Sequence, residues 1–236
     1  MNTNVDITYL GHSAFKLQSP AGKIILIDPF LSGNPLTPEA HKNPGAVDYI
    51  LLTHGHEDHV GDTLEIAAKT GAKVVSIVEL SALLKADGLA EAQAIEMNKG
   101  GSIRLDDVTV SMTNANHSSS FGGRYAGDPA GLVLRFDDDI TVYHAGDTNI
   151  MPDFELYAEL YKPDVTLLPI GDYYTMGDKE AALAASMLKS PVFVPIHYGT
   201  FPPLTGSPEV FKEETERLTA GGSEVHIIKP GGTLKA

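Results

Sequence analysis

Apolar positions along the chain form short strand-like runs, punctuated by turn residues and by stretches of helical period. Residues 14–29 (AFKLQSPAGKIILIDP) and 131–147 (GLVLRFDDDITVYHAGD) each read as two strands joined by a tight turn. The turns are Pro20-Ala21-Gly22 and Asp137-Asp138-Asp139, and each second arm ends on an aspartate, Asp28 or Asp147. A continuous apolar run follows each hairpin, VDYILLTH at 47–54 and PDVTLLPI at 163–170. Runs of this kind belong to strands buried on both faces. Two further strands, AKVVSI (72–77) and PVFVPI (191–196), keep the same offset of 119 residues that separates Asp28 from Asp147.

Helical period appears between these strands. Val60, Leu64 and Ala67 recur on one face after His59, and Gly71 stops that helix. A second helix opens at Asp178, read as its N-cap, and runs through EAALAASML. A third opens Ser207-Pro208-Glu209 and ends at Gly221-Gly222. Hairpin, strand, helix and strand thus recur in one order, which predicts a single domain over 1–236 made of two similar halves, about 1–115 and 116–236. The fold class is α/β: two mixed sheets packed face to face with helices outside, a four-layer αββα sandwich. Residues 29–46, 116–130 and 198–208 are rich in Pro, Gly or Ser and are expected to be long loops at a functional rim.

Length agrees with one α/β domain, since 236 residues with 42% hydrophobic and 20% charged positions can bury a sizeable core. Charge narrows the partners. Asp and Glu number 31 against 17 Lys and Arg, a net charge of −14, so a nucleic-acid backbone or an anionic membrane surface is a poor match. Cysteine is absent, which removes disulfides, thiolate metal sites and cysteine nucleophiles. The opening MNTNVDITYLGH lacks the basic and apolar regions of a signal peptide, and no apolar run nears the ~18 residues of a membrane span. A cytoplasmic protein is expected.

The chemistry concentrates in Thr53-His54-Gly55-His56-Glu57-Asp58-His59, directly after the strand DYILL. A six-residue window of a chain with nine histidines holds about 0.2 by chance; this one holds three. Alternate strand residues share a face, so His54 and His56 project together from the strand end. Imidazoles plus carboxylate, without sulfur, suit Zn²⁺, Mn²⁺ or Fe²⁺. Four potential ligands exceed what one open tetrahedral site needs, so two divalent ions are expected.

THGHEDH resembles the HxHxDH signature of the metallo-β-lactamase superfamily. Other marks of that family stand in the same order: His117 in NANHSSS, Asp147 in HAGDT and His197 in PIHYG. LGHSAF, IDPFLSGNP, YHAGDT, TMGD and PIHYGTFP further resemble a branch of uncharacterised metal-dependent hydrolases beside the ascorbate-6-phosphate lactonases. The resemblance implies the αββα sandwich. It implies that His54, His56 and His117 bind one metal, that Asp58, His59 and His197 bind a second, and that Asp147 bridges. His at position 56, where flavodiiron oxygen reductases carry Glu, speaks against redox chemistry. The absence of a cysteine ligand speaks against antibiotic hydrolysis.

The expected reaction is hydrolysis of a small ester, lactone or phosphodiester by a metal-bound hydroxide. Asp58 is given a catalytic role in orienting the nucleophile and moving its proton. The alternatives are a nuclease of the same fold, which the acidic composition disfavours, and a non-catalytic metal-dependent binding or sensor protein. His12 and Asp28 are expected to hydrogen-bond the ligands rather than touch metal. Arg124, one of four arginines, is expected to bind an anionic substrate beside His117. Tyr173, Tyr174, Thr175 and Met176 are candidates for the pocket wall, and His41, His144 and His226 for surface or core packing.

Overall fold

In a computed structural model, which describes residues 5–236, the repeated apolar runs become two seven-stranded sheets. The strands are, in chain order, β1 (Asp6–Gly11), β2 (Ala14–Gln18), β3 (Ile24–Ile27), β4 (Tyr49–Leu51), β5 (Lys73–Ile77), β6 (Ala94–Met97), β7 (Ser102–Leu105) and β8 (Val108–Asn114). They continue with a small ribbon of β9 (Ser120–Phe121) and β10 (Arg124–Tyr125), then β11 (Ala130–Phe136), β12 (Thr141–His144), β13 (Val165–Pro169), β14 (Val192–Ile196), β15 (Glu224–Val225) and β16 (Thr233–Lys235). The first sheet has the order β16-β1-β2-β3-β4-β5-β6 and the second β7-β8-β11-β12-β13-β14-β15. Both run antiparallel from the first of these strands to the fourth, then parallel to the last. The position 115/116 does not separate the sheets. β7 and β8 precede it yet belong to the second sheet, and β16 returns to the first.

Side-chain alternation builds the layers. Leu132, Leu134, Val142, Leu167 and Val194 of the second sheet share one core with Ile7, Phe15, Leu17 and Leu26 of the first. Their neighbours Val133, Tyr143, Leu168 and Phe193 face the other way, into a separate cluster with helix residues such as Phe154, Ala181 and Phe211. Two sheets sandwiched between helices give the αββα arrangement.

The helices are α1 (Glu57–Val60), α2 (Thr63–Thr70), α3 (Val78–Ala86), α4 (Asp153–Leu160), α5 (Asp178–Leu188) and α6 (Pro208–Leu218). The single helix expected after His59 is two: it breaks at Gly61, and Gly71 caps α2 in the left-handed conformation. Gly177, not Asp178, is the N-cap of α5. Asp178 instead accepts the Ser207 N–H at 3.0 Å, tying α5 to the start of α6. Ser207 caps α6 through Val210 N–H with Pro208 in the first turn. Helices α3 and α4 were not expected. Each starts without a side-chain cap, behind Ile77 and Pro152.

Candidate metal centre

The carboxyl ends of the central strands meet at one rim of the sandwich, and the chemistry gathers there. β4 ends at Leu51 and delivers Thr53 to His59. β3 delivers Asp28, β12 delivers Asp147, β14 delivers His197, β1 delivers His12, and the segment after β8 delivers His117. His56 caps α1, so the turn into that helix places Asp58 and His59 one step beyond the strand-end pair. Gly55 permits this geometry: a β-carbon there would lie 2.4 Å from the Ala126 β-carbon. Its N–H donates to Ser119 Oγ at 3.1 Å, and Ala130 N–H donates to the Thr53 carbonyl at 3.0 Å. The 116–130 loop is thereby laced to the histidine loop.

All seven expected ligands come together. Nitrogens of His54, His56 and His117 lie within 4.8 Å of one another. The ligand atoms of Asp58, His59, His197 and His12 form a second group on the same criterion, and His54, His59 and Asp147 a third that overlaps both. Asp147 sits between. Its Oδ2 is 3.0 Å from His197 Nε2, 3.4 Å from His59 Nε2 and 3.6 Å from His117 Nε2.

Surrounding groups fix which nitrogen faces inward. Asp28 is fully buried. Its Oδ1 accepts Thr53 N–H at 2.8 Å, and its Oδ2 accepts the Thr53 hydroxyl at 2.6 Å and His59 Nδ1–H at 2.8 Å. Having donated its proton to Asp28, the Thr53 hydroxyl accepts from His54 Nδ1–H at 3.0 Å. Nε2 of each ring therefore faces the site, and is the nitrogen left without a proton when the ring is neutral. His12 contacts Asp58 Oδ2 through Nε2 at 3.0 Å and Thr200 Oγ1 through Nδ1 at 2.9 Å. His12, Asp28 and His197 adopt left-handed backbone angles of 58°, 46° and 57°, a conformation that non-glycine residues adopt rarely and that clusters at functional sites.

Burial keeps most of the imidazoles neutral, while the carboxylates keep their negative charge. Burial pushes His54 well below the ordinary histidine value. Burial and the neighbouring His197 push His12 down to about 4. Burial opposes charge on His59, but Asp147 and Asp28 outweigh it and hold the ring well above its ordinary value. Burial likewise opposes ionisation of Asp147, yet His197 and His59 hold it well below the carboxylate range. Asp58 is also held low, the hydrogen bond from His12 and the nearby His59 overcoming burial. His59 Nε2 and Asp147 Oδ1 are buried without a hydrogen-bond partner. Buried polar atoms rarely go unpaired. The same two carboxylates that favour a proton on His59 would favour a cation in its place, and His59 Nε2, once it gives up that proton, can share one ion with Asp147, so the residues present fit divalent metal.

The β-lactamase superfamily domain profile matches residues 23–198. The chain belongs to that family. Its relatives include the UPF0173 metal-dependent hydrolase of Rubrobacter xylanophilus, 47% identical over 97% of this chain and 95% of the relative. The UPF0173 metal-dependent hydrolase of Pyrococcus horikoshii is 45% identical over 98% and 99%. The solved structure of Igni18, a metallo hydrolase from Ignicoccus hospitalis, has 40% identity and a TM-score of 0.87, covering 98% of this chain and 97% of its own. The chain is thus a member of a metal-dependent hydrolase family, with a His/Asp cluster able to bind metal.

A cavity of about 550 Å³ opens over the cluster of this family member. His56, Asp58, His117, Asp147 and His197 form its floor, and Ser118, Tyr174, Phe201 and Pro203 line its sides. Arg124 is not there. It lies on β10, exposed, with its guanidinium on the Asp87 carboxylate at the end of α3 and on the Phe121 carbonyl. The acidic chain supplies this cation with an internal partner, and the guanidinium expected beside His117 does not line the cavity. Of the four candidate wall residues, Tyr174 lines the cavity, Met176 is buried among α4, α5 and α6, and Tyr173 is exposed. His144 is buried, its Nε2 on the Ser13 carbonyl at 2.9 Å, and His226 pairs with Glu224 at 3.2 Å. Sequence reasoning missed Thr53 and Thr200 as partners of the histidines. Thr53 was available as the residue before His54; nothing in the sequence singles out Thr200.

Proposed function

We propose that the protein is a hydrolase holding two divalent cations, Zn²⁺ first by donor set with Mn²⁺ or Fe²⁺ as alternatives, and that it cleaves a small ester, lactone or phosphodiester. The observation that carries this reading is the Asp147 carboxylate, buried, with one oxygen unpaired and the other within 3.0–3.6 Å of imidazoles from both ligand groups. In this reading His54, His56 and His117 hold one ion, Asp58, His59 and His197 the other, and Asp147 both. When bound, such ions lower the pKa of a water and supply positive charge to a developing oxyanion. The chain's own residues do the rest. Asp58 lines the cavity with a carboxylate braced by His12, where it can take the nucleophile's proton and return it to the leaving group. Asp28 and Thr53 hold His54 and His59 in the required tautomers. The net charge of −14 and a cavity of about 550 Å³ support a small molecule over a polyanion.

Metal analysis of protein purified without added metal, coupled to turnover of bis-para-nitrophenyl phosphate and a simple lactone, tests this. Two equivalents of metal and turnover abolished by a chelator are expected. One equivalent at full activity would overturn the binuclear reading. Full metal content with no turnover across an ester, lactone and phosphodiester panel would favour the sensor reading instead.

A further inference from the structure

The cavity has an acidic and imidazole floor but no basic wall. Among the described residues, no lysine or arginine lines it, and Arg124 is held by Asp87 outside it. The wall above the floor is Tyr174, Phe201 and Pro203, with Ser118 as a small polar, uncharged member. These aromatic side chains are not spent on the core: Tyr174 is 55% and Phe201 36% exposed. A soluble chain leaves large rings in water at a cost, and such patches mark contact sites.

The rings are also held in place. Phe201 lies edge-on to His12, 5.5 Å between centroids, and 6.3 Å from Phe30. The preceding Thr200 bonds His12 at 2.9 Å. Tyr174 packs edge-on against Tyr173 at 4.7 Å, on a turn where Asp172 and Tyr173 both take left-handed angles, 62° and 57°. The two loops that carry Tyr174 and Phe201 are joined. Gly206 N–H donates to the Gly171 carbonyl at 3.3 Å, and a β-carbon on Gly206 would lie 1.7 Å from the Ile170 carbonyl oxygen. Only glycine lets these loops lie together. The exposed Asp172 carboxylate stands beside the Tyr173–Tyr174 pair and would repel a remote anion.

We infer that the non-reacting part of the substrate is uncharged and apolar, an alkyl or aryl group held between Tyr174 and Phe201 beside Pro203. This rests on the hydrolase reading and names its substrate class. The reacting carbonyl or phosphoryl group goes to the floor, while the apolar group displaces water from the two rings. A terminal anion on that group would be desolvated with no cationic partner.

The test compares para-nitrophenyl butyrate with its omega-sulfonated analogue on the metal-loaded protein; sulfonate is a weak metal ligand, so the pair differs in remote charge. The neutral ester is expected to have kcat/KM about tenfold higher. Phe201→Ala and Tyr174→Ala are each expected to raise KM for the neutral ester about fivefold with metal content unchanged, and Tyr174→Phe to restore it. Equal or better use of the sulfonated ester, or alanine variants that leave KM unmoved, would overturn the inference and leave the hydrolase reading standing. If neither ester turns over, calorimetry with butyranilide and its omega-sulfonated analogue decides it: tighter binding of the neutral amide upholds the apolar site, and equal or tighter binding of the sulfonate overturns it.

Discussion

The two sheets share one strand order, so their equivalent corners can be compared directly. After β3 the first sheet places Asp28; after β12 the second places Asp147. Both carboxylates are buried, yet their surroundings differ. Asp28 accepts three hydrogen bonds, from Thr53 twice and from His59. Asp147 has one oxygen unpaired and the other facing three imidazoles. The next corner diverges further: β14 leads to His197, while β5 leads straight into α3 through Val78, which is 41% exposed. A hydrogen-bonded carboxylate braces and an unpaired one is free to bind, so the ends of equivalent strands carry a supporting carboxylate in one sheet and a candidate ligand in the other; Asp28 follows β3 directly, whereas Ala145 holds that backbone place after β12 and Asp147 stands two residues further on. The second corner's donors fill only one rim.

The largest effect that can test this contrast is at Asp147. Asp147→Asn removes a negative charge shared by both ligand groups, and metal content and activity are both expected to fall by about 100-fold or more. Wild-type stoichiometry and activity would remove Asp147 from the centre. Asp28→Asn should preserve metal content better while lowering activity about 10-fold to 100-fold, as losses of ligand-supporting carboxylates do. If it empties the site as thoroughly as Asp147→Asn, the distinction between bracing and binding fails. Acid gives a further graded effect on metal-free protein. His12, His54 and His144 are kept below the ordinary histidine value, chiefly by burial. For each, the unfolded chain binds more protons between about 6.5 and the folded value. Their stabilisation is therefore complete above pH ~6.5 and lost as pH falls through the folded values, about 4 for His12. His59, held high, acts in the opposite sense, but its stabilisation is already complete below pH ~6.5 and does not change as pH falls further. Urea midpoints of the metal-free chain should drop from pH 7 to pH 5, and an unchanged midpoint would contradict the burial of these rings as neutral groups. The smallest effect belongs to Arg124. Arg124→Ala should change kcat/KM for neutral and anionic substrates by less than about twofold, because its charge is committed to Asp87; a selective loss on the anionic one would bring it back to the cavity.

How far the sequence could be read follows the locality of each feature. The seven candidate ligands, which the fold brings together, were legible because four stand within six residues at a strand end and three carry family-like surroundings. The paired sheets were legible because each buried strand is a continuous apolar run. Helix α3 was not, because VELSALLKA follows β5 with no turn residue and no polar cap between them. Helix α4 starts on Pro152 with no side-chain cap for the same result. Arg124 shows the converse error. It lies seven positions from His117, but the β9–β10 turn carries it to Asp87, and nearness along the chain is no measure of direction in a loop. Thr200 was invisible because its meaning arises only where the 198–208 loop crosses β1's end at His12.

The bonds to Asp28 join the two ligand groups as well as supporting each. Through Thr53 it sets His54, and directly it sets His59. If two ions bind as proposed, an ion that orders either imidazole stiffens the same carboxylate for the other. Loading is then a linked equilibrium, in which whatever one ion contributes to the affinity of its neighbour is returned equally. The half-filled protein should be scarce, and titration with metal should pass from empty to full with a Hill slope above one that Asp28→Asn brings toward unity.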